Sequence, residues 1–294
     1  GLYLAVAKLL FSVIHPFLLG LLVCGGTGLF FFLYLLLKRQ IGPCLHAGRR
    51  LMELHLVGFL AGIIYLLELQ GLKLSSAINA GILLRTDLLF SLLLGFFLLR
   101  ERLSKVDVAA MAAMVAGVLL VMGVSPAEME SFSVGDLMIT GAAFILAVNA
   151  YLIKGRLKDV ENTIIAFYNT TITALWFAAS ATAAGIWGHW GQIPQWGWTL
   201  VGLCTVLNIA QYLSYYQAIK LLPIWLLRTL SLVTPVITVA AGAALLRDTV
   251  TLSQLIGILL VGGGVVIISL AQGRKAGTSF GECEAKGRIS TGRR

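Results

Sequence analysis

The sequence predicts an all-α polytopic membrane protein: ten transmembrane helices, the first one truncated, arranged as two inverted five-helix repeats. Three observations carry that prediction. Of the 294 residues, 59% are hydrophobic and only 12% are charged, against about 25% charged residues in a soluble domain. The apolar residues come in blocks of about 20, the length that crosses a bilayer core as a helix. Part of the chain also occurs twice. Lys73-Leu74 returns as Lys220-Leu221, Gly95 as Gly242, and Leu98-Leu99-Arg100 as Leu245-Leu246-Arg247. Glu101 returns as Asp248 and Gly117-Val118 as Gly264-Val265, all at one offset and without a gap. Apolar-on-apolar matches alone carry little, but the shared Lys, the Arg-acid pair and the two glycines make chance a poor explanation. A large soluble helical core would need polar faces on most helices, and these are missing.

The spans follow in order. The first is Gly1–Val13, read as the second half of a helix whose start is absent, with no cleavable signal peptide. The second, Pro16–Leu37, places Pro16 where a missing N–H costs nothing. The third to fifth are Leu51–Leu69, Ala77–Leu99 and Val106–Gly123, and a loop at Val124–Val134 separates the halves. The sixth to tenth are Gly135–Ile153, Thr163–Trp187, Gly197–Ile219, Ile224–Leu246 and Leu252–Leu270. The repeats therefore occupy residues 1–124 and 135–271. The tail 272–294 is Gly-rich and charged and is expected to be disordered.

The net charge of +9 reflects topology rather than a nucleic-acid partner. With the tail placed in the cytoplasm, most of the 22 Lys and Arg fall on that side. They are Lys38, Arg39, Arg49 and Arg50; Arg100, Arg102 and Lys105; Lys154, Arg156 and Lys158; Lys220; and the bases of the tail. Only Lys73 and Arg247 fall in outside loops, which otherwise carry Glu128, Glu130 and the tryptophans Trp187, Trp190, Trp196 and Trp198. Both termini are then cytoplasmic, with a Trp belt at the opposite interface. Five helices per half is an odd number, so the copies point in opposite directions. That arrangement supplies two nearly equivalent packings, one open to each side.

At this level the chain resembles the drug/metabolite transporter superfamily, in particular its ten-helix EamA-like family. The residues that carry the resemblance are Leu98-Leu99-Arg100-Glu101-Arg102-Leu103-Ser104, their second copy Leu245-Leu246-Arg247-Asp248-Thr249-Val250-Thr251, Pro235, Gly135-Asp136 and the Gly-rich ends of the fifth and tenth spans. The chain departs from the family pattern at four positions. Arg replaces the Gly before the acid in both copies, Asp248 replaces the usual Glu, and Leu88 stands where Pro235 would be matched. The resemblance implies a secondary transporter of a small organic metabolite, an exporter in the inner membrane. It implies a central cavity lined by the first, third, fourth, sixth, eighth and ninth spans, and last helices able to support a homodimer. It implies no cofactor, and the chain has no phosphate loop ending in Gly-Lys-Ser/Thr. Expected partners are a small-molecule substrate, the lipid bilayer and a coupling proton or ion.

Candidate site residues come from polar groups inside the spans. Arg85 and Asp87 lie near the middle of the fourth span, where a charge costs on the order of 3 kcal/mol unless paired or wetted. Two residues apart on a helix, they cannot pair with each other, so each needs a partner elsewhere. They suit either a structural ion-pair network or a site, with Arg85 holding an anionic group and Asp87 a coupling proton or cation. Arg228 aligns about four residues inside the ninth span, where it is expected to snorkel. Glu68 is expected near the outer interface, and Lys8 is a further candidate in the first span. Asn208, Gln211, Tyr212 and Tyr215 follow an i, i+3, i+4, i+7 stripe suited to an amphipathic organic ligand or to helix association. Asn149 and Tyr151 add to it from the sixth span, while Tyr168 and Asn169 suit an interhelical hydrogen bond.

Gly58 and Gly62, and the run Gly262-Gly263-Gly264, permit close helix approach. Four cysteines without metal or redox spacing (Cys24, Cys44, Cys204, Cys283) and four scattered histidines give no metal site. No His-Glu-x-x-His or Gly-x-Ser-x-Gly motif supports an intramembrane enzyme. A broad multidrug pump and a non-transporting assembly or sensor protein remain as alternatives.

Overall fold

The structure is a computed structural model that describes residues 6–7, 9–40, 48, 50–75, 83–99, 104–121, 133–237, 240, 251–268 and 270. Lys8, Arg100-Glu101, Arg247-Asp248, positions 124–132 of the loop between the halves and the tail lie outside the described residues. Among those described, the chain is helical and contains no strand. The helices are α1 (Pro16–Leu37), α2 (Arg50–Leu74), α3 (Thr86–Leu94), α4 (Lys105–Val121), α5 (Val134–Arg156), α6 (Asn162–Ala183), α7 (Gln195–Leu221) and α8 (Ile224–Ser231). A ninth, α9, covers Leu252–Ile268. By length and composition, α1, α2, α5 and α6 are each able to cross a bilayer.

Local chemistry sets the helix ends. α1 opens on Pro16, with His15 Nδ1 accepting from the Phe17 N–H at 3.2 Å. It closes in a Schellman turn, Arg39 N–H to Leu36 O and Gln40 N–H to Leu35 O, with Arg39 left-handed at φ 55°. α2 runs on to Leu74, so Lys73 belongs to its last turn rather than to a loop. α6 stops at Ala183, short of the expected Trp187, because Gly185 at φ 65° turns the chain. Gly185 N–H and Ile186 N–H then satisfy Thr182 O and Ala181 O. Trp187 and Trp190 follow in a short 3₁₀ segment, Trp187–Gln192, while Trp196 and Trp198 open α7; Trp187 stacks on Trp190 and Trp190 on Trp198.

Capping boxes open three helices. Asp136 N–H bonds Ser133 Oγ at 3.2 Å while Asp136 Oδ2 accepts from Ser133 N–H at 2.7 Å, and Ser75 Oγ donates to the other carboxylate oxygen. Ser104 and Asp107 make the same exchange at the start of α4. Thr251 and Gln254 make it at the start of α9. Ser104 and Thr251 are repeat partners, so different side chains perform one task in the two copies. Ser133→Ala is expected to cost about 1 kcal/mol. Ser180→Ala, which removes only a back-bond to Trp176 O, should change little. Thermal unfolding of the two variants in detergent checks the contrast.

The fourth and ninth spans are not continuous α-helices. Each is broken by a turn, at Arg85 before α3 and at Leu232 after α8, and these two residues are repeat partners. Pro235 explains the second break, since it has no N–H to return to Ser231 O. At the first, Leu88 N–H bonds Arg85 O at 3.2 Å and Thr86 Oγ1 takes Leu83 O at 2.6 Å, closing the turn without a proline. α3 then loosens into a π-helical turn at Gly95–Leu99.

α2 lies between α5 and α6, α1 packs on α6 and α7, and α3 packs on α5 and α8. One buried cluster joins Phe31, Leu35, Leu54, Ile153, Ile165 and Ile219. A second joins Leu10, Ile14, Leu18, Phe177 and Val201, and a third joins Leu88, Met114, Trp225 and Val261. Large apolar side chains such as Leu37, Met52, Phe97 and Leu259 point outward, as they do where the surroundings are lipid. Small residues set the closest approaches. A Cβ on Gly58 would meet Ile172 Cδ1 at 2.7 Å, and one on Gly62 would overlap the Trp176 ring. In α9 only Gly257 and Gly264 are needed, against Gly117 and Met114 of α4. Gly262 and Gly263 face open space, so the expectation of three crowded glycines is corrected to one of that run.

Candidate functional site

Between α2, α5, α6, α7 and α8 lies a cavity of about 260 Å³. Ala61, Ile64, Tyr65 and Glu68 line it from α2 at helical spacing, and Leu146, Asn149 and Ile153 do the same from α5. α6 gives Asn169, α7 gives Gln211, Tyr212, Tyr215 and Tyr216, and α8 gives Arg228. A separate hollow of about 280 Å³ between α1 and α6 is lined by apolar groups, glycines and Thr171 and has no ionisable side chain.

Arg228 is the best-held charge in the cavity wall. It is only 7% exposed. Its Nη2 donates to Leu146 O at 3.1 Å and to Tyr215 Oη at 3.3 Å. Its Nε lies 3.8 Å from Asp87 Oδ2, and its guanidinium sits 5.9 Å from the Tyr215 ring centroid. Partners on α3, α5 and α7 thus orient the rigid fork. The expectation of a snorkelling arginine is corrected. α8 begins on Ile224, Trp225, Leu226 and Leu227, all buried, so its first turn lies inside the protein rather than at a membrane surface. Lys154 Nζ, bonded to Leu222 O, ties α5 to the chain entering that turn.

The expected site residues separate into those on the wall and those behind it. Asn149, Gln211, Tyr212 and Tyr215 line the cavity. Asn149 Nδ2 donates to Val57 O at 3.4 Å, which leaves its buried Oδ1 without a hydrogen-bond partner. Tyr212 Oη donates to Asn169 Oδ1 at 3.1 Å, the interhelical bond expected of Asn169. Asn208 is turned to α1 instead, accepting from Thr27 Oγ1 at 3.0 Å, and is not part of the cavity wall. Asp87 stands behind Arg228 and is 9% exposed. Arg85 sits on the turn before α3, with its Nε buried and without a hydrogen-bond partner. The first and fourth spans give no side chain to the wall among the described residues. The seventh, through Asn169, does.

Sequence reasoning missed Arg228, Glu68, Tyr65 and Tyr216 as wall residues. The signal for Glu68 was present. Ala61, Ile64, Tyr65 and Glu68 repeat at i, i+3, i+4, i+7, which puts the carboxylate on a face that already carries a tyrosine.

The fold and cavity define a multi-pass helical membrane protein with charged and aromatic groups around a solute-sized space. The chain belongs to the EamA-like transporter family, whose model matches residues 1–123 and 133–270. A similar protein is the uncharacterized transporter sll1164 of Synechocystis sp., 24% identical over 210 residues, which are 68% of this chain and 60% of that protein. The chain thus spans less than two thirds of that relative's length. A crystal structure with 22% sequence identity superposes with a TM-score of 0.76, covering 93% of this chain and 94% of the other, and shares the fold.

Proposed function

We propose that the protein is a secondary active transporter that exports a small organic metabolite, amino-acid-like or amphipathic, by alternating access. The observation that carries this reading is the cavity, which presents a cationic pole at Arg228, an anionic pole at Glu68 and an unpaired acceptor at Asn149 Oδ1. Tyr65, Tyr212 and Tyr215 supply apolar faces between the poles. A volume of about 260 Å³ lies below the usual range of ~300–1,000 Å³ for drug-sized pockets, which favours a metabolite over a broad range of drugs.

In this reading the chain has ten spans in two inverted halves, 1–124 and 135–271, in the cytoplasmic membrane with both termini inside. The distribution of Lys and Arg supports the orientation. The matched breaks at Arg85 and Leu232 and the matched capping boxes support the relation between halves.

Counterflow in proteoliposomes tests the function. Vesicles preloaded with unlabelled amino acids should accumulate labelled amino acid and ignore tetraphenylphosphonium. Asn149→Ala should raise the apparent KM about tenfold, the loss of one hydrogen bond to a charged or polar ligand group. Movement of the lipophilic cation alone would overturn the metabolite reading.

A further inference from the structure

Four charged groups gather at the centre of the protein, and three of them differ from the fourth. Asp87 is held by Arg228 at 3.8 Å and by the backbone N–H of Leu88. Arg228 is held in turn by Leu146 O and Tyr215 Oη. Arg85 stands back from the cavity wall. Glu68 lines the cavity, yet it makes no hydrogen bond or ion pair with any described residue. Its surroundings include charges on two other elements, Asp87 and Arg85 at the start of α3 and Arg228 on α8. Tyr65 on its own helix and Tyr212, Tyr215 and Tyr216 on α7 share the same space. The hydroxyl of Tyr212 is given to Asn169, and that of Tyr215 accepts from Arg228.

This arrangement separates the two carboxylates differently from their expected depths, in which Asp87 was central and Glu68 near the outer interface. A proton arriving at Asp87 has to break its pairing with Arg228 and leave a guanidinium uncompensated in a dry site. A proton arriving at Glu68 displaces no hydrogen-bond or ion-pair partner among the described residues. The same holds for an ammonium group entering the cavity.

We propose that Glu68, rather than Asp87, is the coupling carboxylate: it takes a proton or the cationic pole of the substrate, never both at once. Asp87 is then a positioning residue that holds Arg228 for the substrate's anionic pole. The exchange is balanced. The carboxylate accepts a proton from cavity water on one side of the membrane, becomes a neutral acid, and returns the proton to water when an ammonium group replaces it. Because one site serves both, proton and substrate alternate, which is the requirement for antiport. This inference rests on the transport reading above.

Two measurements test it separately from that reading. The first is labelling of the purified full chain with N,N′-dicyclohexylcarbodiimide, which condenses with protonated carboxyls in apolar surroundings, followed by mass spectrometric mapping. Glu68 should be modified several-fold more in mildly acidic than in mildly alkaline buffer, and Asp87 should not be modified. Glu68→Asp should retain the pH-dependent label and Glu68→Gln should lose it. Modification of Asp87 with Glu68 untouched, or labelling of Glu68 that does not respond to pH, overturns the proposal. The second is amino-acid transport in proteoliposomes under an imposed pH gradient. The wild type should be accelerated by the gradient. Glu68→Asp should keep both transport and the acceleration, Glu68→Gln should lose the acceleration together with most of its substrate affinity, and acceleration that survives Glu68→Gln overturns the proposal. Absence of all amino-acid movement in the wild type would instead remove the transport reading, with the labelling still deciding the role of Glu68.

Discussion

Arg228→Met is expected to lower the unfolding free energy by roughly 3–5 kcal/mol, the cost of leaving one member of a buried ion pair without its partner. The stranded group is Asp87, which is 9% exposed and has Arg228 3.8 Å away. Leu146 O and Tyr215 Oη also lose their donor. The size of the effect comes from the uncompensated charge rather than from attraction within the pair, and that distinction is measurable. Arg228→Met combined with Asp87→Leu removes both charges and should recover more than half of the loss. A double-mutant cycle on thermal unfolding in detergent should therefore show strong non-additivity. If the double variant is as unstable as the sum of the singles, Asp87 and Arg228 are not a pair. Arg228→Lys keeps the charge but not the planar fork, and its single nitrogen cannot reach the separate positions that Nε and Nη2 occupy beside Asp87, Leu146 O and Tyr215 Oη. It should fall between the wild type and Arg228→Met.

Gly257→Ala should cost roughly 1–3 kcal/mol, the range for overpacking a tight contact. The added Cβ would lie 2.9 Å from Val121 N and 2.8 Å from Val121 Cγ2, and it would press on Gly117 O. Two of those atoms are backbone, so neither can rotate away, and α4 and α9 would have to separate. Gly263→Ala, six residues along the same helix, meets nothing within 4 Å. It should be neutral or slightly stabilising, because alanine is the better helix former. Melting temperatures of the two variants decide the matter, and equal values would show that α4 and α9 do not approach as closely as described.

The helices were legible because lipid-crossing segments advertise themselves by length and apolar content. Pro16–Leu37 agrees with the expected second span at both ends. Ends set by hydrogen-bonding chemistry were harder. Gly185 stops α6 inside an apolar run, and Ser133 starts α5 one residue earlier than hydropathy suggests. The turn at Arg85 has neither glycine nor proline at its centre, and the apolar runs before Arg85 and after Asp87 conceal it. In the site, the stripe on α7 puts Gln211, Tyr212 and Tyr215 on one face, and the three line one cavity wall, because helical spacing alone fixes a face. Spacing did not reveal that Asn208, on the same stripe, bonds Thr27 of α1. Arg228 departs from its expected place for a different reason. Position along a span does not give depth in the membrane where, as in the first turn of α8, the helix is enclosed by protein. The need of Asp87 for a partner on another helix was readable from its own position, and the identity of that partner was not.

The balance of charge around the cavity has an electrical consequence. Arg85 and Arg228 offset Glu68 and Asp87, so with all four ionised the empty site presents no net charge to the transmembrane voltage. In the alternating-access cycle proposed above, reorienting it empty, or with a zwitterion aboard, transfers no charge across the field. A proton on Glu68 leaves one positive charge in excess, and moving one charge through the field is worth about 2.3 kcal/mol per 100 mV. The proton-bearing leg of the cycle is therefore the voltage-sensitive one. In the proposed cycle a negative interior draws that leg inward, and a single side chain on α2 would connect substrate export to the membrane potential.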